Sequence, residues 1–135
     1  MTTGGFDLCH VGHINLLRRA KEQCEKLIVC VASDEYLTAL KNIKPLLSYN
    51  DRVHLVQLTG YADVIDKRDF LTLSILVHKY NPDVLFKGSD WSPITYDGEG
   101  LGKEVIYLPY TEGVSTTWYR GKLSGKENFS GISST

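Results

Sequence analysis

Residues 27–32 read Leu-Ile-Val-Cys-Val-Ala, an apolar run without a polar interruption. A strand with one wet face alternates, so an unbroken run predicts a strand buried on both faces, as in the middle of a parallel sheet. Val84 to Lys87 and Val105 to Leu108 are shorter runs of the same kind, and Ala62 to Ile65 is a weaker one. Helical patterns lie between them. Ile14, Leu16, Leu17, Ala20 and Cys24 mark one face of a helix from about Val11 to Glu25. Ser48 with Asp51 resembles a capping box, with Asp for the usual Glu. It opens a helix that carries Val53, Leu55, Val56 and Leu58 and stops at Gly60. Phe70 to Tyr80 is a third helix, ended before Pro82.

Strands alternating with helices imply βαβ crossovers and an α/β fold, a parallel sheet with flanking helices. Such sheets bind ligands outside the carboxyl ends of their strands, which directs attention to the turn after each strand. The opening strand is the weak point. Only Met1 to Gly5 precede the first turn, so that strand is either very short or lacks a few residues at its start. Ser92 to Lys103 is rich in Gly and Pro and reads as a loop. The chain of 135 residues suits one domain, placed at 1–123, with a polar C-terminal tail at 124–135 that frays or awaits a partner.

A net charge of −1 provides no general grip on nucleic acid, so any anion site is local. No apolar run approaches the roughly 18 residues needed to span a membrane. Cys9, Cys24 and Cys30 are odd in number and lack metal-site spacing, which favours a reduced, cytoplasmic setting.

Four stretches carry chemistry. In Gly4-Gly5-Phe6-Asp7-Leu8-Cys9-His10-Val11-Gly12-His13, glycines precede a helix whose first turn holds two histidines three apart. A helix start offers free N–H groups and positive potential to a phosphate, and residues three apart share a face. His10 and His13 can therefore donate to one anion and stabilise charge developing on a phosphoryl group. Gly12 lets that anion approach the backbone. The plainer reading is a capped helix with two surface histidines. Zinc fits poorly, because no third ligand is suggested nearby. Thr111-Glu112-Gly113-Val114-Ser115-Thr116-Thr117 opens the last helix with Ser115 as its cap, offering hydroxyls and N–H groups to phosphates. Lys87-Gly88-Ser89-Asp90-Trp91 follows a strand; Trp91 either stacks on a base or packs under the next loop. Lys41-Asn42-Ile43-Lys44-Pro45 lies in a loop between helices and could bring a mobile charge to phosphate.

In this order the four stretches resemble the cytidylyltransferase family of small nucleotidyltransferases, above all its glycerol-phosphate branch. The likeness runs from Gly4 to about Leu123 and rests on His10-Val11-Gly12-His13, Gly88 to Trp91, and Thr111 to Thr117. It implies a Rossmann-like single domain, a homodimer, and CTP with Mg²⁺ as the reacting nucleotide. A phosphate oxygen of a small phosphorylated acceptor would attack the α-phosphorus and pyrophosphate would leave. By the same likeness His10, His13 and Lys44 would be catalytic. Gly5, Phe6, Asp7, Lys87, Gly88, Asp90, Trp91, Thr111, Gly113, Val114, Ser115 and Thr116 would meet the nucleotide, and Arg52 and Lys41 the acceptor.

The departures matter. The family usually carries Arg at the places of Gly60 and Tyr110, and a second Lys at Asn42. Heptose-phosphate adenylyltransferases also lack both arginines and have a Lys-Gly-x-Asp-aromatic turn like Lys87 to Trp91, so ATP competes with CTP. Other classes are a hydrolase or kinase, for which no GxxxxGK[ST] or GxSxG motif is present, a Cys9 thiol nucleophile, and a non-catalytic nucleotide sensor.

Overall fold

The computed structural model describes residues 1–69, 72–88, 97–109 and 116–124. Among these, strands β1 (Thr2–Gly4), β2 (Ile28–Ala32), β3 (Val64–Arg68), β4 (Val84–Gly88) and β5 (Glu104–Leu108) form one parallel sheet in the order β3-β2-β1-β4-β5. Helices are α1 (Val11–Lys21), α2 (Asp34–Lys41), α3 (Tyr49–Thr59), α4 (Leu73–Tyr80) and α5 (Thr116–Leu123), with a 3-10 turn at Asp7–Cys9. This is the Rossmann-like arrangement, with strand order reversing at β1. β1 is only three residues long.

All of β2 is buried, as its unbroken apolar run requires. Val29 and Val31 face a core with Leu17 and Ala20 of α1 and Val56 of α3. Ile28 and Cys30 face the opposite core, against Leu73, Leu76 and Val77 of α4. Two apolar layers thus sandwich the sheet and fix the carboxyl ends of its strands at one rim.

Several boundaries differ from the sequence expectation for identifiable reasons. α1 stops at Lys21, because Asp63 pins the chain where it turns into β2: its carboxylate accepts from Leu27 N at 2.7 Å and Lys21 Nζ at 2.7 Å. The third strand is Val64–Arg68, displaced toward the C-terminus from Ala62 to Ile65. Its polar half was unreadable as strand because partners elsewhere neutralise it: Asp66 accepts from Lys79 Nζ at 2.8 Å and Tyr80 Oη at 2.5 Å. α2 was implied only by placing Lys41–Pro45 between helices. Its signal is Ser33, whose Oγ accepts from Tyr36 N at 3.0 Å, followed by Asp34 and Glu35 in the first turn. α3 begins at Ser48, which accepts from Asp51 N, and ends at Gly60 with φ +78°. Asn81 caps α4 before Pro82; the predicted start of that helix at Phe70 lies outside the described residues, as does the tail from residue 125. No helix among the described residues is long and apolar enough to cross a membrane.

Candidate active site

The His10-His13 segment emerges from the carboxyl end of β1, where the strand order reverses and a crevice is expected. The chain takes an unusual path to get there. Phe6 (φ +56°), Leu8 (φ +64°) and Cys9 (φ +38°) all lie in the left-handed region. Each such residue costs on the order of 1–3 kcal/mol, and the surroundings must enforce it. They do: Phe6 is buried in the core, and the Asp7 carboxylate accepts from Leu46 N at 2.8 Å and Leu47 N at 3.0 Å. Gly4 and Gly5 sit where a side chain would be crowded. A Cβ on Gly4 would meet the Phe6 ring at 3.1 Å, and one on Gly5 would meet Leu37 at 3.0 Å.

The two histidines close a capping box at the start of α1. His10 Nδ1 accepts from Gly12 N at 3.1 Å, and His13 Nδ1 accepts from His10 N at 3.2 Å. Imidazole nitrogens here take the places of the usual hydroxyl and carboxylate. With Nδ1 accepting, the proton of each neutral ring sits on Nε2. The rings stack at 3.8 Å between centroids, tilted by 24°. Phe6 meets His13 edge-on at 5.4 Å. Both rings are half-buried, and burial lowers the His10 pKa from its usual value. His13 is pushed down to about 3, first by burial, then by the charges of His10 and Lys41. At neutral pH the site is a stacked pair of uncharged donors, able to hydrogen-bond an anion without competing with it for a proton. The plainer reading captured the cap but not the stacking or the burial.

Other expected residues fall into three groups. Lys41, at the end of α2, lies close enough for its charge to act on His13. Lys44 is exposed and borders a hollow of about 530 Å³ with Asp34, Glu35, Thr38 and Ser48. Gly12 is held at the first turn of α1, while Lys87 and Gly88 end β4.

Four of the expected residues make structural contacts that the sequence did not reveal. Arg52, expected at the acceptor, is 0% exposed. Its Nη1 donates to Gly5 O at 2.8 Å and Ala32 O at 2.7 Å, Nε to Leu47 O at 3.1 Å, and Nη2 to Asp34 at 2.7 Å. It therefore ties the ends of β1 and β2 to α2 and the Lys44 loop. The Phe6 side chain is core, Gly5 backs onto Leu37 and gives its carbonyl to Arg52, and Asp7 anchors the Lys44 loop. These structural contacts stand beside the nucleotide contacts expected of the three residues. Asp90, Trp91, Tyr110, Thr111, Gly113, Val114 and Ser115 lie outside the described residues, and Thr116 is placed only as the first residue of α5.

Sequence reasoning missed the inner face of α5. The Tyr119 ring lies 5.4 Å from His10, and Arg120 donates to Asp7 at 3.1 Å and to Lys44 O at 2.7 Å. Their spacing from Thr116, three and four residues, was the available signal. Among the described residues no cluster of three or more His, Cys, Asp or Glu could hold a metal.

The comparisons with known proteins agree with this geometry. A model of the family described as cytidylyltransferase-like matches residues 1–122. The chain is 38% identical over 128 residues to glycerol-3-phosphate cytidylyltransferase of Staphylococcus aureus, covering 94% of this chain and 96% of that protein. It is 34% identical to bifunctional protein HldE of Campylobacter concisus, covering 94% of this chain but 27% of that longer protein. A crystal structure of the lipopolysaccharide core biosynthesis protein from Thermoplasma volcanium superposes with a TM-score of 0.67 at 26% identity, covering 82% of this chain and 93% of that one. A parallel sheet reversing at β1, a stacked histidine pair at its rim and a family match over nearly the whole chain lead to one assignment: this protein belongs to the cytidylyltransferase-like family of nucleotidyltransferases.

Proposed function

We propose that the chain transfers CMP from CTP to a small phosphorylated acceptor of the glycerol 3-phosphate kind. The carrying observation is the stacked His10-His13 pair, with both Nδ1 atoms engaged by backbone N–H groups. An acceptor phosphate oxygen forms a bond to the α-phosphorus as the bond to the pyrophosphate oxygen breaks. Charge grows on the non-bridging and leaving oxygens, and the two Nε2–H groups are oriented in advance to stabilise it. Lys41 and Lys44 add mobile positive charge beside the cradle. Lys87 and Gly88 at the end of β4 hold the nucleotide, and the motif resemblance assigns Asp90, Trp91 and Thr111 to Thr116 to the same role. Mg²⁺ bound to the triphosphate would neutralise part of its charge.

Adenylyl transfer from ATP to a sugar phosphate is the second reading, supported by Lys87 at the end of β4 and by the likeness to HldE. The enzyme acts in the cytoplasm as a homodimer; free Cys9, Cys24 and Cys30 are compatible with a reducing compartment. Pyrophosphate release, measured for four NTPs against a panel of phosphorylated acceptors, tests the proposal. CTP-dependent release with a glycerol-type phosphate supports it, ATP-dependent release with a sugar phosphate selects the second reading, and binding without turnover refutes both.

A further inference from the structure

Arg68 is a buried cation that the proposed reaction does not yet use. It ends β3 at the ligand-binding rim of the sheet and is 7% exposed. Its Nη1 reaches Thr3 Oγ1 on β1 at 3.5 Å, and its guanidinium carbon lies 4.8 Å from the centre of the Tyr36 ring on α2. Its Nη2 is ion-paired with Asp97. Its Nε is buried and has no hydrogen-bond partner, the sole such side-chain atom among the described residues. An orphaned N–H on a buried guanidinium costs roughly 1–3 kcal/mol or more, a cost retained where a ligand satisfies the group.

The partners are unequal. The Arg68 side chain is 8% exposed and rigidly placed, whereas that of Asp97 is 48% exposed and comes from the connection between β4 and β5. A carboxylate is the side-chain group nearest in charge and shape to a phosphate face, and arginine binds both through the same planar fork. Asp97 can leave for water; Arg68 cannot. The location is also selective. With β1 central and the histidines at its end, Lys87 and Gly88, proposed for the nucleotide, end β4 on the other side of β1 from Arg68. In-line displacement puts acceptor and pyrophosphate on opposite sides of the α-phosphorus, so the acceptor approaches from the β2–β3 side, where Arg68 ends its strand.

We propose that Arg68, with the Thr3 hydroxyl, forms the subsite that binds the anionic phosphomonoester of the acceptor, and that Asp97 occupies this subsite until the acceptor displaces it. This rests on the transfer reaction proposed above. The guanidinium gains a partner for Nε, and Asp97 turns to solvent.

The test uses the full chain and two substitutions. Binding of sn-glycerol 3-phosphate and of inorganic phosphate is measured by calorimetry without nucleotide, and KM values for acceptor and CTP by pyrophosphate release. Asp97→Asn removes the competing charge from an exposed position where folding is not at risk. It should tighten glycerol 3-phosphate binding and lower the acceptor KM several-fold, with the KM for CTP unchanged. Arg68→Gln should weaken acceptor binding by about tenfold or more, the loss of one charged hydrogen bond. Weaker binding in Asp97→Asn, or an equal change in both KM values, overturns the proposal even if Arg68→Gln fails to fold. Inorganic phosphate bound as tightly as glycerol 3-phosphate, with no response to Asp97→Asn, also overturns it. Calorimetry reads the subsite without turnover, so absence of transfer defeats the reaction and leaves the subsite separately measured.

Discussion

Replacing Arg52 by Ala separates a holding role from a substrate-binding one. The side chain is 0% exposed and donates to Gly5 O, Ala32 O, Leu47 O and Asp34. Removing it withdraws a donor from three backbone oxygens, at about 1 kcal/mol or more each where water cannot enter. It also opens a cavity the size of the largest fully buried side chain among the described residues. Asp34, with its side chain 43% exposed, can be rehydrated, so its loss adds little. The contributions share one site and do not add fully. About 3–5 kcal/mol is expected, from the backbone oxygens left unpaired and the cavity left by a large buried side chain. A domain of this length has roughly 7–20 kcal/mol in total, at about 0.05–0.15 kcal/mol per residue. The variant should therefore fold, with a urea midpoint far below that of the parent, followed by circular dichroism and Trp fluorescence. Arg52→Lys should recover part of the loss, having charge but no planar fork. Stability within about 1 kcal/mol of the parent together with a large rise in acceptor KM would refute the reasoning and return Arg52 to the acceptor.

Other outcomes follow from the same geometry. His13→Ala should lower kcat by about 10²–10³ while CTP affinity changes little, as for loss of a transition-state donor, with about 1 kcal/mol of stability lost with the cap. An equal fall in affinity with kcat intact contradicts this. The His13 pKa is about 3 in the folded chain against 6.5 normally, so the unfolded chain binds more protons between those values. Stability contributed by neutral His13 is complete above pH 6.5 and declines as pH falls toward 3. His13→Gln should flatten the slope of unfolding free energy against pH in that window; an unchanged slope rules the shift out. Arg120→Ala should leave nucleotide binding measurable but raise proteolytic cleavage near Lys44, because Arg120 holds Asp7 and Lys44 O. Unchanged cleavage would show that the loop is held by other contacts.

The fold was legible where side chains report their burial directly. The apolar run at 27–32 announced the central strand, and Ser48 and Gly60 marked both ends of α3. β3 was misplaced because Asp66 and Arg68 find partners on α4, β1 and the β4–β5 connection, contacts that no local window contains. The same limit governed the site. Histidines three apart at a helix start predicted their own convergence, since one turn of helix settles it. The structural contacts of Arg52, Phe6 and Asp7 were not legible, because a motif records which residues cluster, not what each side chain touches. Arg68 offered no signal at all: a basic residue at a strand end reads as surface until Thr3 and Tyr36 are seen around it.

The capping box made by two imidazoles has a chemical consequence beyond catalysis. Paired histidines one turn apart are ordinarily a trap for zinc, nickel or copper, which bind through an unprotonated ring nitrogen. Here the lone pairs at Nδ1 already face backbone N–H groups, and the outward nitrogens carry hydrogen. A stray divalent ion could gain a foothold only by reversing both tautomers and unfastening the first turn of α1. The fold thereby keeps a hydrogen on each Nε2 and makes the pair a poor host for the metals that two histidines would otherwise collect.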